Sequence, residues 1–223
     1  MSGIESVLLY GSRARGDEGR HSDVDLLGIV SSDKIVKPFD DNGISFHLYP
    51  FSWLMESAEN GALFLLHIVN EAVPLSDPKA LLDRLKEAFV YKSSYLADKE
   101  LGCRIIAAVA NLPEDRFTGT IRRRYFWGVR TALMAMSADQ RSPTFSAESL
   151  ESRFSLHGLA DHIHGRANAR PAECRHFGRE VFNRAMGQAL WNDEHSVAAN
   201  LDFLMGLGGL ATATAGEIIY DIR

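Results

Sequence analysis

Two aspartates one residue apart, Asp23 and Asp25, stand at the head of the apolar run VDLLGIV, and a Gly11-Ser12 pair follows another apolar run, SVLLY, with ten residues between Ser12 and Asp23. A carboxylate on a strand that wants burial needs a partner. Successive strand side chains alternate in direction, so the two aspartates share a face with their Cα atoms about 7 Å apart. Such a pair suits a hard cation such as Mg²⁺, which takes one or two protein carboxylates and completes its shell with water and phosphate oxygens. Two such ions about 3.5–4 Å apart can activate an attacking oxygen and stabilise a leaving one at phosphorus. At Gly11 the absence of a Cβ lets the backbone approach a ligand closely, and exposed N–H groups at a strand-to-helix turn bind phosphate oxygens. The Ser12 hydroxyl adds a donor. Together the two halves describe a phosphate chain held beside metal.

The elements that must position these residues lie in the first ninety residues. Ser6 to Tyr10 reads as a buried strand, Ser12 to Gly16 as a helical turn, Asp17 to Ser22 as a polar loop and Asp23 to Val30 as a second strand. Ile44 to Tyr49 is a third, with Ile44, Phe46 and Leu48 on one face and Ser45, His47 and Tyr49 on the other. Ser52 to Val69 has helical spacing, and Glu71 to Ser76 reads as a closing strand or extended connection, an edge because of Pro74. Asp77-Pro78 predicts an N-cap followed by proline at the first helical position. Beyond it the patterns are helical: Lys99 to Ala110, Thr120 to Met136, Ala172 to Trp191 and Ser196 to Leu207. The expected fold class is α+β, with a mixed α/β head over residues 1–90 and an all-helical domain over 91–223.

Bulk properties narrow the function classes. The chain has 223 residues, a formal net charge of −5 and 46% hydrophobic residues, so it can build a core and carries no overall nucleic-acid signal. Cys103 and Cys174 lie far apart and in no metal-ligand spacing, which fits free thiols in a reducing compartment. The start, MSGIESVLLYGS, lacks the basic region of a signal peptide, and no stretch reaches eighteen uninterrupted apolar residues. The expected address is the cytoplasm, with no membrane span.

The joint pattern of strand, Gly11-Ser12, GSRARG, loop, SDVDLL and strand resembles the nucleotidyltransferase superfamily with the DNA polymerase beta-like fold. GSRARG and SDVDLL especially resemble the bacterial minimal nucleotidyltransferases and the kanamycin-type antibiotic nucleotidyltransferases, and the resemblance covers roughly residues 5 to 90. The resemblance implies transfer of a nucleoside monophosphate, AMP in the first instance, from an NTP to a hydroxyl on a small molecule or protein, with pyrophosphate leaving. It implies that Gly11 and Ser12 hold the triphosphate and that Asp23 and Asp25 are catalytic ligands of Mg²⁺ or Mn²⁺. Arg13 and Arg15 become phosphate partners in this reading, with a charged helix face as the alternative. Two rival functions remain open: an antibiotic-modifying enzyme, and an NTP-binding regulatory or antitoxin-like partner protein with weakened catalysis.

The family usually carries a third carboxylate on a later strand. In Ile44 to Tyr49 none of Ser45, His47 and Tyr49 is acidic. His47 stands where that acid is expected and is the candidate general base, since imidazole titrates near neutral pH. Asp40, Asp41 and Glu71 are other sources of a carboxylate.

In the helical half, Ile121, Tyr125, Val129, Ala132 and Met136 form an apolar stripe, with Arg123, Trp127 and Arg130 on a neighbouring face. Arg122 to Arg124 is the basic cluster, read as a solvated face or a contact to triphosphate, RNA or an acidic partner; nucleic acid is not the expected partner. Arg170 to His176 has an R-x(4–6)-H spacing of the kind found in helical ribonuclease domains. His157, His162 and His164 with Asp161 read as a polar loop in preference to a metal site.

Overall fold

A computed structural model describes residues 3–19, 22–33, 36–187, 197–207 and 209–222. The chain is mixed α+β, a sheet-containing head followed by helices, and divides into two units, 1–93 and 94–223.

The first unit contains a five-stranded sheet among the described residues, in the order β3-β4-β2-β1-β5. The strands are β1 (Ile4–Tyr10), β2 (Val24–Val30), β3 (Val36–Asp41), β4 (Ile44–Pro50) and β5 (Val73–Ser76). Only the β2–β4 pairing is parallel; the β1–β2, β1–β5 and β3–β4 ladders are antiparallel. The single turn α1 (Ser12–Arg15) follows β1, and α2 (Phe51–Glu59), α3 (Leu63–Glu71) and α4 (Leu81–Ala88) complete the unit. The core joins Leu8, Leu27 and Ile29 of the sheet to Leu54, Leu65, Ile68, Leu81 and Leu85 of these helices.

Three expectations need correction here. The strand β3 was not anticipated; Asn42 and Gly43, with φ of 50° and 79°, make the tight turn that pairs it with β4. Residues 52–69 form two helices, because the chain turns at Asn60-Gly61, and Gly61 has φ +62° with no room for a Cβ against the Val90 carbonyl. Helix α4 starts at Leu81, not Pro78: the Asp77 carboxylate accepts from the Leu81 and Leu82 amides, both at 2.9 Å, across a turn that carries Ala80 at φ 50°.

The second unit is built from α5 (Leu96–Ala110), α6 (Gly119–Asp139), α7 (Ala147–Phe154), α8 (Leu159–His164), α9 (Pro171–Met186), α10 (Val197–Leu207) and α11 (Gly209–Ile222). Helix α6 is capped by the Thr118 hydroxyl, which accepts from the Ile121 amide at 3.2 Å. Its stripe is buried at Ile121, Tyr125, Val129 and Ala132, with Met136 packed at the margin. Helices α5 and α6 touch where Gly102 faces Gly128. Helix α9 ends at Met186; the expected extension to Trp191 falls mostly outside the described residues. The histidines read as a polar loop lie on or beside α8, with His162 buried among rings. No described helix is long and apolar enough to cross a membrane.

Candidate functional site

β1 ends at Tyr10, and the chain turns at Gly11 with φ 77° and ψ −156°, a region essentially reserved for glycine. The reason is steric as well as torsional: a Cβ at Gly11 would lie 2.5 Å from Asp25 Oδ2. The turn continues into α1, whose Arg15 amide donates to the Gly11 carbonyl at 3.2 Å, and Gly16 in the left-handed region ends it. The strand end, the glycine turn and the first aspartate-bearing strand are therefore in van der Waals contact.

The sheet register builds one row across this end. Tyr10 stands opposite Asp25 in the β1–β2 ladder, Asp25 opposite Ser45 in the β2–β4 ladder, and Ser45 opposite Asp40 in the β3–β4 ladder. Asp41 takes the alternate register position, opposite Ile44. Asp23 is exposed and immediately precedes β2, and the next amide, Val24, is tied to the Gly43 carbonyl at 2.8 Å.

His47 belongs to the next row in, opposite Leu27. Its Nε2 lies 3.3 Å from Ser45 Oγ, and its ring packs edge-on to Tyr10 at 5.8 Å and near Phe64 at 6.3 Å. It thus shares the sheet face with Asp25, while Ser45 is the β4 residue in register with that acid. Burial first, and then the Asp25 charge, push the Tyr10 phenol well above its usual value, so Tyr10 is a neutral wall of the site.

The two arginines of GSRARG diverge. Arg13 is exposed and donates to the Ser22 carbonyl at 3.0 Å, pinning the loop that leads to Asp23. Arg15 is held between carboxylates: Nη1 to Glu71 Oε2 at 2.7 Å and Nε to Asp17 Oδ2 at 2.9 Å. Burial pulls its basicity down, but the bonds and charges of Asp17 and Glu71 outweigh that and raise it. The Glu71 side chain is only 7% exposed, and His67 Nε2 lies 2.5 Å from the same Oε2. Glu71 is thus engaged by a guanidinium from α1. Sequence reasoning considered it only as a source of the third carboxylate; its partner is 56 positions away in the chain, beyond any local pattern.

Asp23 and Asp25 offer carboxylate oxygens, the donor type that a hard divalent ion takes. Among the described residues, no three of His, Cys, Asp and Glu gather in a metal-holding group.

Residues 1–56 match the family model of the nucleotidyltransferase domain. That span holds Gly11, Ser12, Arg13, Arg15, Asp23, Asp25 and His47, and it supports the superfamily and nucleotidyl transfer in general. No curated protein matches the chain.

The other sequence-predicted groups lie in the second unit. Arg122 Nη1 donates to the Ala167 carbonyl at 2.6 Å, Arg124 pairs with Glu217, and Arg123 is exposed beside Thr120. The basic cluster thus divides into two internal anchors and one solvent-facing residue. Arg170 is the N-cap of α9: its amide donates to Glu173 Oε2 at 3.0 Å, and its guanidinium pairs with Oε1 at 2.7 Å. His162 Nε2 is 3.3 Å from the Tyr125 hydroxyl, whereas His164 reaches Glu148 at 2.7 Å, so these two histidines turn to different neighbours.

Proposed function

We propose that the protein transfers a nucleoside monophosphate, with ATP as donor, to a hydroxyl on a small molecule or a protein. The observation that carries this reading is the contact of Gly11 with Asp25, a glycine turn against a carboxylate, which we read as a phosphate site beside a metal ligand. In this reading the amides at the Gly11-Ser12 turn and the Ser12 hydroxyl hold the triphosphate. Asp23 and Asp25 hold Mg²⁺ or Mn²⁺, which neutralises phosphate charge when bound. Tyr10 stays protonated and adds no negative charge beside the phosphates. His47 is the general base on the same sheet face, through a hydroxyl relay with Ser45.

A second reading has its own observation. The β4 positions on this face are Ser45, His47 and Tyr49, and Glu71 is engaged by Arg15. This favours an NTP-binding partner protein with slow transfer.

The experiment is incubation with each of four α-labelled NTPs and Mg²⁺, alone and with cell extract, beside the Asp23→Asn/Asp25→Asn double variant. Label transfer that the double variant abolishes supports the enzyme and reveals its acceptor class. NTP binding without transfer in any arm supports the partner protein. Neither binding nor transfer overturns both.

A further inference from the structure

α1 is a single turn of four residues, with no side-chain cap at its start and no buried residue of its own. One isolated turn does not hold its shape in water, since nucleation fixes several dihedrals for a single hydrogen bond. Yet the backbone that precedes it, Gly11-Ser12, has a specific geometry against Asp25. Something outside the turn has to hold it.

The Arg15–Glu71 pair is placed to do so. Glu71 is the last residue of α3, and α3 is anchored in the core by Leu65 and Ile68. Its carboxylate grips Arg15 at the end of α1, while His67, one turn earlier, touches the same oxygen and meets the Tyr10 ring edge-on at 5.5 Å. α3 therefore contacts the chain on both sides of Gly11-Ser12, through Tyr10 before it and Arg15 after it. Asp17 closes the arrangement by taking the Arg15 Nε. A carboxylate this buried is costly unless paired and hydrogen-bonded, and a pair of hydrophobic residues of similar size would often serve stability equally well. A planar guanidinium bridging two carboxylates gives something that apolar packing does not, a fixed direction.

We propose that Glu71 is a positioning residue for the nucleotide site: acting through Arg15, it sets the Gly11-Ser12 turn in the conformation that receives the triphosphate. The proposal rests on the nucleotidyltransferase reading for its ligand. It also deepens that reading, because it removes Glu71 from the metal-binding acids and Arg15 from the direct phosphate ligands.

The test compares wild type, Glu71→Gln and the double variant Arg15→Met/Glu71→Leu, all as full chains. Three quantities are read: thermal midpoint, amide hydrogen exchange over residues 11–16, and ATP affinity with Mg²⁺. In Glu71→Gln, exchange over 11–16 should rise and ATP affinity should fall about tenfold or more, a tenfold loss corresponding to about 1.4 kcal/mol of binding free energy. The double variant should recover the thermal midpoint toward wild type while ATP affinity stays low and exchange stays fast. Recovery of affinity together with stability would overturn the proposal and leave the pair a stabilising contact only. Lost transfer in Glu71→Gln with unchanged ATP affinity and unchanged exchange would also overturn it and make Glu71 an acid of the reaction. If wild type binds no NTP, the nucleotidyltransferase reading fails by itself. The exchange measurement still decides whether Glu71 holds the turn: unchanged protection in Glu71→Gln overturns the proposal in that case too.

Discussion

Gly11 and Asp25 are in contact across the end of the sheet, so close that a single added carbon on Gly11 would meet Asp25 Oδ2 at 2.5 Å. Asp25 is paired on both sides, so its backbone is fixed and only its side chain can turn away. The contact explains why a glycine is needed at this turn twice over: its φ of 77° disfavours any side chain, and the carboxylate occupies the space that one would take.

Gly11→Ala should therefore lose both fold stability and nucleotide binding. The backbone conformation alone costs about 1–3 kcal/mol for a non-glycine residue, and the displaced carboxylate adds to it. Thermal melting and ATP binding measured together check this. A variant with wild-type melting and wild-type affinity would show that the turn relaxes freely and that the contact is unimportant.

The backbone around these residues was legible in the sequence where its parts were local. Asp25 was readable as a strand residue and Gly11-Ser12 as a turn between a strand and a helical start, whereas Asp23, expected on the strand, lies just before β2. The row that joins them was only partly readable. Asn42-Gly43 is a hairpin signal, and the antiparallel register it sets puts Asp40 opposite Ser45, but the segment before it has no clear strand alternation to show β3. Glu71 was out of reach, since its role depends on Arg15, 56 positions away. His162 was misread as part of a polar loop because nothing in its immediate neighbours shows that Phe177 stacks on it at 4.4 Å. Long-range pairing defeated local pattern in both cases.

The helical unit offers a paired test of glycine in two settings. At Gly102 a Cβ would meet the Ala132 amide nitrogen and the Gly128 carbonyl oxygen, both at 2.6 Å, so neither neighbour can swing aside. Gly102→Ala should destabilise by about 1–3 kcal/mol or more through overpacking between α5 and α6. At Gly216, inside α11, a Cβ would meet nothing within 4 Å. Gly216→Ala should stabilise by about 0.5–1 kcal/mol through helix propensity alone. Denaturant midpoints of the two variants should move in opposite directions; an unchanged or raised midpoint in Gly102→Ala would contradict the close α5–α6 crossing, and a lowered one in Gly216→Ala would contradict the open setting of that glycine.

Cys103 and Cys174 are buried free thiols, and desolvation pushes both up to about 12. The thiolate is the reactive form, so at pH 8 only roughly one thiol in ten thousand is available even before access is considered. Alkylation by iodoacetamide should be negligible in the native protein and complete in urea, as read by intact mass. Rapid native labelling of either cysteine would mean that the helical core opens readily at that position.

His162 should make the helical unit sensitive to acid. It is buried, lies 3.3 Å from the Tyr125 hydroxyl and packs between Phe126 and Phe177. Desolvation is the main cause that lowers it from 6.5 to about 4, against a smaller opposing pull from Glu173. Between those two values the unfolded chain binds a proton at this residue and the folded chain does not. Stability from this group is therefore complete above about pH 6.5, falls as pH drops toward 4, and changes no further below that. The size is on the order of 1–3 kcal/mol, reduced from the full shift by residual solvent screening. His162→Gln should flatten this part of the profile, so the difference in unfolding free energy between wild type and variant should shrink steadily from pH 7 to pH 4. A difference that stays constant over the range would show that His162 titrates alike in the folded and unfolded chains.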